Sequence, residues 1–171
     1  MKIVAASDSH GRSILKDIVR WEPEADLYLH CGDLEDDPRA YPEWLFVKGN
    51  NDWMYTTSMP LTRVIPFQGL RIFLCHGHTF PFSDRQQAIA RQAQEEGCHL
   101  ALYGHTHVHD DRQTGPVRVV NPGSCWMSRD GRPASYAVIT ADETGIQDVT
   151  FKYEDTWPVP EKKKKSRWLK W

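Results

Sequence analysis

The sequence predicts a single α/β domain, a β-sandwich of two sheets flanked by helices. Three observations lead to this fold class. Eight short apolar runs recur along the 171 residues, and several are followed directly by Gly, Asn, Asp or His, which end strands. Only two stretches show helical spacing, so the later strands have no helical crossovers between them. A chain of this length forms one domain of ordinary size and needs no disulfide.

The predicted elements follow the apolar runs in chain order. Strands are predicted over residues 3–6, 27–29, 44–47, 71–75, 100–103, 117–120, 136–139 and 146–151. The first helix is predicted over residues 13–21, because its apolar side chains share one face and a proline follows. The second helix is predicted to begin at the capping box Ser83-x-x-Gln86 and to stop at Gly97.

The charge distribution separates the body of the chain from its end. The 21 basic and 23 acidic residues give a net charge of −2, which argues against a surface built as a whole for nucleic acid. We predict a domain over residues 1–155 and a tail over residues 156–171 that is rich in Pro, Lys and Trp. Residues 161–171 hold six basic residues and one acid, so they carry +5 and leave −7 elsewhere. This end is expected to be solvated, with contact to nucleic acid, anionic lipid or a partner subunit as the alternative.

Cysteine placement and the start of the chain bear on the compartment. The four cysteines are scattered and mostly lie beside apolar stretches, which is typical of buried free thiols rather than of a disulfide framework. The apolar run after Met1-Lys2 has four residues, too few for the core of a signal peptide, and no later run approaches the length of a membrane span. A cytoplasmic protein without a membrane span is therefore expected.

Five short segments place side chains that can bind metal directly after an apolar run. They are Asp8-Ser9-His10, Gly32-Asp33, Gly49-Asn50-Asn51-Asp52, His76-Gly77-His78 and Gly104-His105-Thr106-His107. Loops that leave the strand ends of an α/β fold converge on one place, so these segments are expected to meet. The i, i+2 spacing predicts that Asp8 and His10 project to one side of an extended segment, and the same holds for His105 and His107.

The number and charge of these groups favour two metal ions. The candidate ligands are Asp8, His10, Asp33, Asn50, His76, His105 and His107. Seven oxygen and nitrogen donors exceed the four of one tetrahedral zinc and fit two ions that share a bridging carboxylate. Two divalent ions carry +4 and the two aspartates return −2, so the surplus charge would attract a phosphate anion. Ion pairs about 3.5–4 Å apart serve phosphoryl transfer by activating water and clamping the attacking and leaving oxygens.

The order of the five motifs, with Asn121-Pro122-Gly123-Ser124 after them, resembles the calcineurin-like metallophosphoesterase superfamily. Within it, the sequence is similar to the small bacterial and archaeal phosphodiesterases of the YfcE type. The resemblance implies the two-sheet metallophosphoesterase fold with a dinuclear centre at the strand ends. It implies a first ion held by Asp8, His10 and His107, a second held by Asn50, His76 and His105, and Asp33 bridging the two. It also implies Mn²⁺ as the usual metal, with Ni²⁺, Fe²⁺ or Zn²⁺ as alternatives.

One position departs from the pattern of the superfamily. A histidine often follows the G-N pair there and is assigned as the general acid, whereas this chain has Asn51, which cannot donate a proton with a useful pKa. His78 is predicted as the substitute acid, with a plain turn residue as the alternative. The predicted catalytic residues are therefore Asn51, Asp52 and His78. Asn51 and His78 are also predicted to contact substrate, and Asp52 to hold Asn51 or a ligand in place.

Several other residues have weaker assignments. Trp44, Trp53, Tyr55 and Trp126 are expected to be mainly core residues, although Trp53 and Tyr55 follow the Asn50 motif closely enough to border a pocket. His30, His99 and His109 lie outside every motif and are expected to be structural or surface residues. The loop over residues 121–124 either packs beside the site or is a simple Pro-Gly turn.

The favoured function is a metal-dependent phosphodiesterase in which a metal-bridging hydroxide attacks phosphorus, with phosphomonoester hydrolysis as a close variant. Its predicted partner is a small phosphoester substrate, and homo-oligomer formation stays open. One alternative is a non-catalytic protein-interaction scaffold on the same fold, of the Vps29 type. Another is a small nuclease that uses the basic tail to hold DNA or RNA. The complete ligand set favours an enzyme over a scaffold, and the acidic body disfavours a nucleic-acid substrate.

Overall fold

The computed structural model describes residues 1–54 and 59–158, which contain two five-stranded sheets. The first consists of β1 (Lys2–Ala6), β2 (Leu27–His30), β3 (Trp44–Phe46), β9 (Ser135–Asp142) and β10 (Gly145–Tyr153), in the order β10-β9-β1-β2-β3. The second consists of β4 (Thr62–Phe67), β5 (Leu70–Cys75), β6 (Leu100–Leu102), β7 (Asp110–Thr114) and β8 (Val117–Asn121), in the order β4-β5-β6-β8-β7. The predicted two-sheet sandwich is confirmed.

Each sheet contains three neighbouring parallel strands. In the first sheet these are β1-β2-β3, at one side, and in the second they are β5-β6-β8, at the centre. The remaining strands pair antiparallel with them. Every predicted ligand motif follows one of these six parallel strands. Because parallel strands end on the same edge of their sheet, the loops of each sheet leave from one side.

Along each central strand, successive side chains point to opposite faces of the sheet, and both faces are buried. In β1, Ile3 and Ala5 belong to the core between the sheets, whereas Val4 and Ala6 face a second core. That second core lies under helix α1 (Leu15–Trp21), and helix α2 (Arg85–Glu95) covers the outer face of the other sheet. A strand buried on both faces reads as a continuous apolar run, which is why the sequence revealed it.

The sequence analysis did not predict two of the strands, β4 and β7. Both lie at the edges of the second sheet. Edge strands are covered on fewer sides and need less apolar surface. β4 is only partly buried and contains Pro66, which an edge position tolerates. β7 has the polar sequence DDRQT and none of its residues is fully buried.

The predicted helix starts were two residues early. Helix α1 begins at Leu15, and helix α2 begins at Arg85 with Asp84 as its N-cap. The predicted capping box at Ser83 is wrong, because residues 83 and 84 form a turn and no side chain caps α2 by a hydrogen bond. The predicted stop is confirmed, since Gly97 follows α2 with a φ of 66°.

The C-terminal part of the described chain packs on the first sheet. Trp157 lies 5.5 Å from Trp21 and 5.8 Å from Tyr136 between ring centroids. Residues 159–171, most of the predicted tail, lie outside the described residues. All four cysteines are buried and free, as predicted. In the part of the chain that the structure describes, no helix combines the length and the apolar character needed to cross a membrane.

Candidate metal centre

Loops from both sheets meet at one end of the sandwich and bring their polar side chains together. The carboxylate oxygen Oδ1 of Asp8 lies 3.2 Å from His107 Nε2, 3.9 Å from His76 Nε2 and 4.0 Å from His10 Nε2. The Nε2 atoms of His10 and His107 are themselves 3.2 Å apart. Asp8 follows a strand of the first sheet, whereas His76 and His107 follow strands of the second. The site therefore forms only where the two sheets pack.

The structure brings all seven predicted ligands to this place. Two groups have ligand atoms within 4.8 Å of one another, Asp8 with His10 and His107, and Asp8 with Asp33 and His76. Asn50 Oδ1 lies 3.1 Å from His76 Nε2, and the ring of His105 is 5.2 Å from that of His76.

We call the predicted ligands of the first ion and those of the second ion the two halves of the site. Two carboxylates lie between these halves. Asp8 belongs to both groups of ligand atoms. Asp33 Oδ2 lies 3.4 Å from His76 Nε2 and 4.0 Å from His10 Nε2, so this carboxylate also reaches both halves, as a bridging ligand must. The arrangement is compatible with the bridging role that the family resemblance gives to Asp33.

The two oxygens of Asp8 have different surroundings, and this difference tests whether a cation fits. Oδ2 accepts hydrogen bonds from the Ser7 hydroxyl at 2.5 Å and from the backbone N–H of His105 at 3.0 Å. Oδ1 is buried and accepts no hydrogen bond from the described residues. A buried carboxylate oxygen without a donor is unfavourable by several kcal/mol in order of magnitude. A cation surrounded by this oxygen and the imidazole nitrogens would satisfy it, so the residues fit divalent metal.

The ionisation states suit metal binding. Burial alone would raise the pKa of Asp8, but the interactions with His107 and His76 outweigh it and hold that pKa below its ordinary value. The pKa of Asp33 is likewise lowered, because His76 and Asn51 outweigh the effect of burial. Burial, followed by the charge of His76, lowers the pKa of His105 to about 4. Near neutral pH the site therefore offers two carboxylates and a neutral His105 imidazole.

Three histidines are oriented by hydrogen bonds at their second nitrogen. His76 Nδ1 donates to the carbonyl oxygen of Cys31 at 2.8 Å, and His107 Nδ1 donates to that of Met127 at 2.9 Å. Because a carbonyl oxygen can only accept, Nδ1 of each ring carries a proton, which leaves Nε2 as the nitrogen that would bind a metal ion. His10 Nδ1 lies 2.5 Å from Glu35 Oε1, which fixes the ring of His10 in the same sense.

Glu35 is a functional candidate that the sequence analysis missed. Its only signal was its place two residues after Asp33, in the sequence GDLE. The contact with His10 resembles the carboxylate–histidine–metal pairs that orient metal ligands.

We expect Glu35→Ala to weaken metal binding about 10- to 100-fold without unfolding the protein, because Glu35 is partly exposed and orients only His10. Metal affinity measured by competition with a chromophoric chelator would show the change. Glu24→Ala, which removes an exposed carboxylate far from the motifs, is the matched control. Equal affinities for the two variants would refute the orienting role.

The backbone of the site is unusual. Five of the seven predicted ligands have positive φ: Asp8 at 52°, His10 at 46°, Asp33 at 54°, His105 at 70° and His107 at 59°. The prediction that these pairs project from extended segments is therefore wrong. Their side chains converge because the loops turn through left-handed conformations. Such conformations are unfavourable by about 1 kcal/mol or more each and persist where the surroundings enforce them, often at functional sites.

Asn51 and Asp52 both act on the loop that carries Asp33. Asn51 donates its backbone N–H to Asp33 Oδ1 at 2.8 Å and its side-chain amide to Asp33 Oδ2 at 2.7 Å. The Asp52 carboxylate is buried and accepts the backbone N–H groups of Asp33, Gly49 and Glu35 at 2.8–2.9 Å. Asp52 is thus a positioning residue, in line with its predicted role of holding a ligand in place.

His78 lies beside the ligands of the second half. Its ring centroid is 5.3 Å from that of His76 and 6.3 Å from that of His105. Burial, followed by the charge of His76, lowers the pKa of His78 below its ordinary value. Its Nδ1 is buried and has no hydrogen-bond partner among the described residues, so this group has spare capacity for a bound molecule.

The loop after β8 packs against the loops that carry the predicted ligands. Ser124 Oγ donates to the carbonyl oxygen of Asp8 at 2.8 Å, and the Asn121 side-chain amide donates to that of Gly104 at 3.0 Å. This placement favours packing beside the site over a simple turn. His30, predicted to be a structural or surface residue, is buried; its Nδ1 accepts the Gly32 N–H, so its Nε2 donates to Ser9 Oγ.

The predictions for the aromatic residues hold only in part. Trp44 is a core residue with 4% exposure, as predicted. Trp53 is 76% exposed and Trp126 is 47% exposed, so assigning them to the core is wrong. Trp126 follows the loop over residues 121–124, which packs beside the predicted ligands, rather than a buried strand. Tyr55 lies outside the described residues.

Two sheets that bring imidazole and carboxylate groups together at their strand ends match the arrangement predicted for the phosphoesterase fold. Residues 1–144 match the family model of the calcineurin-like phosphoesterase superfamily domain, and the chain belongs to this family. A probable metallophosphoesterase of Bacillus subtilis, YsnB, is 32% identical over 149 residues, which cover 83% of this chain and 85% of that protein. Phosphodiesterase YfcE of Escherichia coli K12 is 35% identical over 76 residues, 44% of this chain and 38% of YfcE.

Solved structures share the fold along nearly the whole chain. A predicted phosphoesterase from Streptococcus pneumoniae superposes with a TM-score of 0.82 and 32% identity, covering 94% of this chain and 93% of that one. Vps29 from Entamoeba histolytica in complex with zinc superposes with a TM-score of 0.70 and 23% identity, covering 89% and 97%. The second likeness concerns the fold alone.

Proposed function

We propose that this protein is a divalent-metal-dependent phosphodiesterase that hydrolyses a small phosphodiester, with phosphomonoesters as a close variant. The observation that carries the proposal is the buried Asp8 Oδ1. It lacks a hydrogen-bond donor among the described residues and faces the Nε2 atoms of His10, His76 and His107. Family membership supports the same class of reaction.

Two ions are proposed in the halves described above. Asp8, His10 and His107 would hold the first, Asn50, His76 and His105 would hold the second, and Asp33 would lie between them. Bound divalent ions supply Lewis-acid stabilisation of phosphoryl oxygens and lower the pKa of a coordinated water. Nitrogen and oxygen donors suit several first-row metals, and we propose Mn²⁺ with Ni²⁺, Fe²⁺ and Zn²⁺ as alternatives.

The chain itself contributes position and charge. Asn51 and Asp52 fix the Asp33 carboxylate and its backbone, so the negative charge between the halves stays in place when substrate binds. His78 is proposed to contact the phosphoryl group or the leaving oxygen, because its buried Nδ1 is otherwise without a partner among the described residues. Fixed donors and charges that need no rearrangement during reaction are the main source of electrostatic catalysis.

We expect the chelator-treated protein to be inactive on bis(p-nitrophenyl) phosphate and to regain hydrolysis when Mn²⁺ is added back. Release of p-nitrophenolate, followed by its absorbance, reports the rate, and metal content per chain is measured on the same samples. Ni²⁺, Fe²⁺ and Zn²⁺ are compared under identical conditions. Unchanged activity after complete metal removal would contradict the proposal.

Metal binding alone does not separate an enzyme from the scaffold alternative. The superposable Vps29 structure also contains zinc, so the fold binds metal in proteins of that name. Turnover is therefore the deciding measurement. A chain that binds two ions but hydrolyses none of a panel of phosphodiesters and phosphomonoesters would favour the scaffold.

A further inference from the structure

We propose that Trp126 is an aromatic platform that selects substrates whose phosphoryl group carries a flat aromatic ester group. This inference rests on the proposed function, because it concerns the substrate of the same site. It concerns the ester group of the substrate, which the metal ligands do not contact.

The position of Trp126 points to this role. Its ring centroid lies 5.1 Å from that of His10, with 59° between the planes, and 6.4 Å from that of His107, with 77° between the planes. Both histidines direct Nε2 toward Asp8 Oδ1, the proposed place of the first metal ion, beside which the phosphoryl group of a substrate would bind. The indole ring is therefore one side chain away from the reacting centre.

The backbone segment that carries the indole is held in place by hydrogen bonds. Ser124 Oγ accepts the N–H groups of Trp126 and Met127, each at 3.0 Å, while its hydroxyl donates to the carbonyl oxygen of Asp8 at 2.8 Å. The carbonyl oxygen of Met127 accepts from His107 Nδ1 at 2.9 Å. The segment over residues 124–127 is thus hydrogen-bonded to the backbone or side chain of two predicted ligands, and its geometry relative to them is fixed.

Nearly half of Trp126 stays exposed in spite of these contacts, since 47% of its surface is accessible. Part of the ring packs on imidazoles, and the accessible remainder is open to a second ring. An exposed indole beside a charged centre offers an aromatic group both apolar area and a complementary quadrupole, whereas a non-planar group of equal size gains the area only. Trp53 is more exposed but makes no ring contact with a predicted metal ligand among the described residues.

A matched pair of ligands tests the platform without turnover. Benzylphosphonate and cyclohexylmethylphosphonate carry a methylene in place of the ester oxygen, so neither is hydrolysed. They have the same charged group and similar size, and they differ in the flat aromatic ring. Calorimetric titration of each into the full-length, Mn²⁺-loaded protein gives the two dissociation constants.

We expect the wild-type protein to bind benzylphosphonate about fivefold more tightly than cyclohexylmethylphosphonate. Trp126→Ala should reduce this ratio below about twofold, and Trp126→Phe should retain most of it, because a flat ring is restored. Trp53→Ala removes another exposed indole and should keep the wild-type ratio. Metal content and the thermal transition of every variant establish that the site and the fold are intact.

A wild-type ratio near one, or a ratio that survives in Trp126→Ala, would overturn the platform. Loss of the ratio in Trp53→Ala but not in Trp126→Ala would overturn it as well. Hydrolysis of bis(p-nitrophenyl) phosphate by the same preparation distinguishes failure of the platform from failure of the proposed function. An active wild-type protein without ring preference contradicts only the platform, whereas an inactive protein that prefers the aromatic phosphonate contradicts only the proposed reaction.

Discussion

Asp33→Asn is expected to lower kcat/KM for bis(p-nitrophenyl) phosphate by at least about 10³-fold. The substitution keeps the size of the side chain but removes one of the two negative charges in the predicted ligand set. Asp33 Oδ2 lies within 3.4–4.0 Å of the Nε2 atoms of His76 and His10, so the lost charge belongs to both halves of the site. Metal content should fall by at least one ion per chain.

Asp148→Asn makes the same chemical change at an exposed position of β10 and serves as the control. Its activity and metal content should match the wild-type protein. Far-ultraviolet circular dichroism of both variants shows whether the fold is retained. Wild-type turnover in a correctly folded Asp33→Asn protein would eliminate Asp33 as the bridging ligand.

Gly104→Ala is expected to destabilise the protein by about 2–3 kcal/mol and to abolish metal binding. A Cβ atom on Gly104 would overlap Ser7 Oγ and lie 2.7 Å from Asp8 Oδ2. Ser7 and Asp8 are fully buried, and they hydrogen-bond to each other, so they have no space into which to move. The loop that carries Ser7 and Asp8 must shift instead. Urea unfolding of the metal-free protein measures the loss in free energy.

Gly115→Ala is the informative comparison for this variant. Gly115 has a φ of 59°, so alanine is strained there by about 1 kcal/mol, but no atom lies within 4 Å of its added Cβ. This variant should keep wild-type metal binding. If Gly104→Ala unfolds at the same urea concentration as the wild-type protein, the close packing of Gly104 on Asp8 is not required.

The sequence analysis was most successful where burial is complete. The strands buried on both faces, such as β1, have continuous apolar runs and were found within three residues of their ends. β4 and β7 are edge strands with little apolar surface, so their existence depends on neighbours supplied by distant parts of the chain. The start of α2 was misplaced for a related reason, because a serine and glutamine at capping spacing do not ensure that the cap forms.

For the site, the residue types carried most of the information. Carboxylates, histidines and an asparagine after apolar runs identified seven side chains that the structure brings together. The reason given for their convergence was wrong for Asp8 and His10, since left-handed backbone rather than extended spacing directs them. Glu35 and Trp126 were not recognised, because neither belongs to a motif and their roles depend on which loops lie next to them.

The residues and their order along the chain predict the available chemistry: the family motifs, the donor set with its two carboxylates, and the buried strands that place each motif at a strand end. The folded chain was needed to see which donors face one another, which oxygen of Asp8 lacks a hydrogen bond, and which exposed ring adjoins the ligands. These relations join residues that are distant along the chain. Asp8 and His107 are 99 residues apart and 3.2 Å apart in space. Such contacts arise from the packing of two sheets, which no local pattern encodes.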